Sequence, residues 1–120
     1  MGTKEVMDRI DELLASQFEN APRQLSYIVK LASPAIRDKH FGEALSLLRQ
    51  AQSLVDGKKD EMAEWRAEVA ALWAFYYAHG GPELEPNAMW HKIAEAQRLE
   101  PTNRRLMEVV HLLKNQQQQK

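Results

Sequence analysis

The sequence predicts an all-α protein. Apolar residues recur at three-to-four spacing almost from end to end, which is the helical period. No segment of useful length alternates apolar and polar residues in the strand period. The chain has 120 residues, 44% hydrophobic and 28% charged, enough for one domain with a buried core and too apolar for a disordered chain.

Six helical segments are expected, in residues 1–115 as a single domain. In the first, residues 3–17, Val6, Ile10, Leu13 and Leu14 form an apolar stripe that Phe18 extends. Asn20, Ala21 and Pro22 then predict a turn, with a proline suited to opening the next helix. The second segment carries Leu25, Ile28, Val29, Leu31, Ala32 and Ile36. Pro34 lies inside it and removes a backbone donor, so a kink there or a break after Ala32 is expected.

The third segment, residues 41–55, sets Ala44, Leu45, Leu48, Ala51 and Leu54 on one face, and Asp56-Gly57 stops it. The fourth is the most apolar, with Met62, Trp65, Val69, Leu72, Trp73, Tyr76 and Tyr77, ending at His79-Gly80-Gly81-Pro82. Two glycines and two prolines predict a loop over residues 80–87. The fifth carries Met89, Trp90, Ile93, Ala96, Gln97 and Leu99. Pro101-Thr102-Asn103 breaks it and caps the sixth, where Leu106, Met107, Val109, Val110, Leu112 and Leu113 are apolar. Residues 116–120, four glutamines and Lys120, are expected to form a disordered tail.

Composition narrows the function. Sixteen basic residues against seventeen acidic ones leave a net charge of -1 and no clustered basic field, so nucleic acid is not an expected partner. The absence of cysteine removes disulfides and thiolate metal sites and is compatible with the cytoplasmic location expected for the chain. Lys4, Glu5, Asp8 and Arg9 break up the N-terminus, so no secretory leader is expected, and Val6 stands where a myristoylation signal needs Ser or Thr. The most apolar stretch, residues 69–78, is about 15 Å long as a helix, half a bilayer, so no membrane span is expected.

The residues 35–54, AIRDKHFGEALSLLRQAQSL, resemble the tetratricopeptide repeat. Phe41, Ala44, Leu48 and Ala51 occupy its bulky turn position and its alternating small and large helix positions, and Ile28, Leu31 and Ala32 match its first helix. A second copy is weaker: Val69, Leu72 and Tyr76, then Ile93, Ala96, Leu99 and the closing Leu99-Glu100-Pro101-Thr102-Asn103. Trp73 departs from it by standing where the repeat has a small residue, and its loop is about four residues too long. The resemblance implies antiparallel helical hairpins stacked as a superhelix, with the sixth helix as a cap.

It also implies a function: a protein-interaction module, adaptor or chaperone-like, holding a partner peptide or helix in a concave groove. Counting along the repeat puts Val29, Ser33, Ile36, Arg37, Ala70, Ala74, Tyr77, Arg105 and Leu112 on that groove, flanked by Ser26, Ala67, Ala78 and Glu108. Small residues leave floor space and Tyr77 offers an anchor with a hydroxyl. The lysines and asparagines of the family's carboxylate clamp are missing from this set. The same small residues would let the first helix, or a second copy in a homodimer, pack there instead.

Chemistry has few candidates. There is no nucleophile elbow, P-loop or dinucleotide fingerprint, and no catalytic residue, cofactor or metal ligand is assigned. The alternatives to a binding module are a structural homo-oligomer and a helical-bundle metal enzyme. The second would use Glu61, Glu64, Glu68, Glu108 and His111, since Glu108 and His111 have the Glu-x-x-His spacing of di-iron bundles. The expected alternative is that Glu61, Glu64 and Glu68 form a solvated face and that Glu108 and His111 face solvent or belong to a cap.

Overall fold

The computed structural model describes residues 21–56 and 62–118, leaving out the side chains of 117 and 118. The described residues form five helices and no strand. They are α1 (21–37), α2 (Phe41–Val55), α3 (Ala63–Ala78), α4 (Ala88–Leu99) and α5 (Arg104–Gln118). These correspond to the second through sixth expected segments; the first expected segment, Gly57 to Glu61, and the last two residues lie outside the described residues.

α1 corrects one expectation. It stays helical through Pro34 to residue 37, with no break after Ala32. Pro34 and Lys30 are both exposed, so the carbonyl that the proline leaves without a donor lies where water can reach it. The expected turn at residues 21 and 22 is likewise helical. α1 ends through Lys39, whose φ of 63° is left-handed, with the His40 amide donating to the Ala35 carbonyl at 2.8 Å.

α2 follows its apolar period. Ala44, Leu48 and Ala51 are fully buried, while Leu45 and Leu54 are partly so. It stops at Asp56, whose backbone turns extended and whose carboxylate accepts from Gln52 Nε2 at 2.7 Å.

α3 is the centre of the molecule. Eleven of its sixteen residues are buried, and it packs against α2, α4 and α5. A helix apolar on nearly every side is stable only when surrounded. Ala67, Ala70, Ala71, Ala74 and Ala78 let backbones approach, and aromatic rings fill the wider gaps. Trp73, too large for the repeat position, is 5% exposed and donates from Nε1 to Gln52 Oε1 at 3.1 Å. Its ring stacks on Tyr77 at 6.0 Å, and Tyr76 meets Phe41 edge-on at 5.6 Å.

The end of α3 needs its glycines. Gly80 has φ 107°, and its amide donates to the Tyr77 carbonyl. Gly81 lies against the Tyr76 ring, where a Cβ would stand 2.6 Å from ring carbons.

Asn103 caps α5 as the sequence predicts. Its Oδ1 accepts the Leu106 amide at 2.9 Å, and the residue is itself buried. At the other end, α5 continues to Gln118, so the first residues of the expected tail are helical. Gln116 Nε2 donates to the Ala78 carbonyl at 3.2 Å, which ties this last turn to the end of α3.

Candidate interaction cleft

The residues counted onto a groove do not form one open surface. Ile36, Ala70 and Ala74 are buried, Ser33 is 7% exposed and Tyr77 is 8% exposed. Val29, Arg105 and Leu112 are partly buried, and Arg37 is exposed. Ala67 and Ala78, also counted as floor, are buried too. The small residues of α3 serve the protein's own packing: the helix is enclosed by its neighbours, and the side expected to lie open is covered.

What covers part of it is a polar bridge between α1 and α5. Arg37 donates to Glu108 Oε1 at 3.0 Å. Arg105 donates from its second guanidinium nitrogen to Ser33 Oγ at 3.2 Å and from Nε to Glu68 Oε1 at 2.7 Å. The other oxygen of Glu68 accepts from Asn103 Nδ2 at 3.1 Å. Beneath the bridge lies Phe75, with the Arg105 and Arg37 guanidinium carbons 5.2 Å and 5.5 Å from its ring centre. The pairing links three helices and closes this end of the face.

Next to the bridge, toward the start of α3, a cleft of about 550 Å³ remains. Ser26, Val29 and Lys30 of α1 form one wall, Glu64, Trp65 and Glu68 of α3 another. The turn into α5 supplies Glu100, Thr102, Asn103 and Arg104. Trp65 and Val29, both part-buried, give it an apolar patch, while Lys30, Glu64 and Arg104 bring charges of both signs to its rim. Hydroxyls of Ser26 and Thr102 add neutral donors and acceptors. Such a surface can hold an amphipathic polypeptide segment, apolar side inward.

Of the residues lining this cleft, the repeat count named only Ser26 and Val29 and missed the rest, Trp65, Lys30 and Glu68 among them. Glu68 read as part of a solvated acidic stripe because its partners, Asn103 and Arg105, stand 35 and 37 positions away. Only tertiary placement brings them together.

Beyond the cleft, His79 follows the end of α3, 4.4 Å from the Phe75 ring, with its carbonyl accepting from Lys39 Nζ at 2.7 Å. Burial, then the Lys39 and Arg37 cations, hold the imidazole below its ordinary range, against a smaller opposing pull from Glu108. Burial chiefly, with Tyr76, Glu85 and Glu83 adding to it, raises the Tyr77 hydroxyl, so the phenol stays neutral in its packed position.

Two of the residues weighed for metal chemistry are engaged otherwise, and Glu64 is exposed. Glu68 is held by Arg105 and Asn103, and Glu108 by Arg37, while His111 is exposed and Glu61 lies outside the described residues. Among the described residues, no group of three or more His, Cys, Asp or Glu is placed to hold a metal ion. His91 is exposed, and Glu95 pairs with Lys92 at 3.5 Å rather than with it. No described helix is long and apolar enough to cross a membrane.

No family model matches the chain, and no curated protein or solved structure matches it.

Proposed function

We propose that the chain is a cytoplasmic protein-interaction module, an adaptor or chaperone-like protein whose helices stack as antiparallel hairpins in the manner of tetratricopeptide repeats. The partner is a polypeptide segment, extended or helical, taken in the cleft between α1, the start of α3 and the turn into α5. The reading rests on that cleft: an apolar patch at Val29 and Trp65 within a rim of both charge signs. Its size and mixed lining suit a peptide better than a compact polar substrate.

Affinity capture from the native source tests it, using wild type against Val29→Arg. Val29 is partly exposed on a helix, so an arginine there blocks the cleft while its stem can reach water. A protein that binds wild type and is lost with Val29→Arg, at unchanged helicity, supports the reading. Equal recovery by both sinks it.

A structural homo-oligomer is the second reading. Trp90 (54% exposed) and Met107 (60% exposed) stand on the outer sides of α4 and α5, near a shallow apolar cleft with Ile93, Val110 and Leu113. A monomeric mass in solution across the working concentration range would remove this reading.

A further inference from the structure

We infer that the seam between α4 and α5 is a second docking surface, shaped for an amphipathic helix of another protein that carries carboxylates beside its apolar stripe. Two clefts of about 450 Å³ and 570 Å³ lie along this seam. They share Gln97, Val110 and Lys114, so they join as one trough. Trp90 and Ala94 of α4 and Pro101 beyond its end line one side, and Met107, Val110 and Leu113 of α5 the other. Trp90 is 54% exposed and Met107 60%, so two large apolar side chains meet water here. The twelve residues of α4 span about 18 Å, long enough for some three turns of a partner helix to lie in the trough.

Charge selects the occupant. Arg104, Met107, His111 and Lys114 follow one another at three-to-four spacing along one side of α5, and all four are exposed. Arg104 and Lys114 stand about 15 Å apart along the helix, the first toward Pro101 and the second toward Trp90. Among the described residues, neither forms an ion pair. Glu108 also lines the trough, but its carboxylate is taken by Arg37 at 3.0 Å. Two cations therefore bracket an apolar strip, a pattern complementary to carboxylates on either end of a partner's apolar stripe. A second copy of the chain lacks that complement. Laid antiparallel on its own seam, it sets Arg104 against Lys114, cation against cation. Arg104 also lines the proposed partner cleft, but Trp90, Met107 and Lys114 do not, so either surface can fail alone.

Two synthetic helical peptides of leucine and alanine test this, one with glutamates bordering the leucine stripe and one with lysines in their place. Added to the isotope-labelled full chain, the glutamate peptide should shift the amide signals of Trp90, Ala94, Met107 and Val110 and leave those of Gln24 and Ser46 unmoved. Lys114→Glu and Met107→Asp, both at exposed positions, should each weaken its binding about tenfold or more at unchanged helicity. The lysine peptide should bind wild type more weakly than the glutamate peptide does, and should bind Lys114→Glu better than it binds wild type. Equal binding of the two peptides to wild type, or none by either, overturns the inference. So does a response confined to Val29 and Trp65 in the partner cleft. Signals of Trp90 and Met107 that move when the protein alone is diluted overturn it too, by placing a second copy on the seam.

Discussion

Arg105 reaches from α5 to Glu68 of α3 at 2.7 Å, while its other nitrogen donates to Ser33 of α1 at 3.2 Å. One side chain therefore holds three helices together. The two partners of the ion pair keep only 16% and 24% of their side-chain surface exposed, whereas Arg37 and Glu108 keep 53% and 45%. The two bridges should differ in worth accordingly. Glu68→Ala leaves a largely covered guanidinium without its carboxylate, with only Ser33 Oγ still accepting from it, and removes the acceptor of Asn103 Nδ2, a loss of about 1–3 kcal/mol. Arg37→Ala breaks an exposed pair worth about 0.2–1 kcal/mol. Urea unfolding of both variants checks the order; equal losses would show that the α5 bridge contributes no more than a surface pair.

Gly81 and Gly42 should respond to alanine in opposite directions. At Gly81 the new methyl collides with the Tyr76 ring, itself 1% exposed and unable to swing into solvent, so Gly81→Ala should cost about 1–3 kcal/mol. At Gly42, inside the first turn of α2 with open space around it, alanine should stabilise by up to about 1 kcal/mol. Thermal melts of the two variants read both signs.

Tyr77→Ala should act on folding. The ring is packed with Trp73 and Tyr76, so its removal should cost about 3–5 kcal/mol, the range for a large buried aromatic. Chemical denaturation of Tyr77→Ala beside Val29→Arg checks this. A Tyr77→Ala protein as stable as wild type would mean that the ring is not packed as described.

Stability should fall with acidification through His79. Its folded pKa lies below the reference value of 6.5, so the unfolded chain binds the proton more readily. The contribution is complete above pH 6.5 and is lost as pH falls from there through the lower folded pKa. Melting temperatures measured above and below pH 6.5 should drop more for wild type than for His79→Gln. Parallel profiles would show that this imidazole titrates as it does in the unfolded chain.

Most of the helices were readable because their apolar spacing is local. Residues 41–55, with Ala44, Leu48 and Ala51 in step, predict α2 with its observed bounds, and Asn103 announces its cap three residues before the amide it takes. The break allowed for after Ala32 does not occur, because the cost of a proline depends on whether water can reach the freed carbonyl, which no local pattern records. The groove misled for a different reason. A helix apolar on all sides offers any face to a repeat count, and sequence does not say which of several neighbours covers which face. Trp65 and Lys30 entered the cleft, and Glu68 the bridge, only through contacts across the chain.

The central position of α3 also bears on how the protein comes apart. Here α2, α4 and α5 all pack against one helix that has almost no face of its own to show to water. Peeling away any one of them exposes the apolar side of α3 that it covered. The described helices therefore gain and lose their structure together, and an amide inside α3 should exchange with solvent only through the opening of the whole assembly.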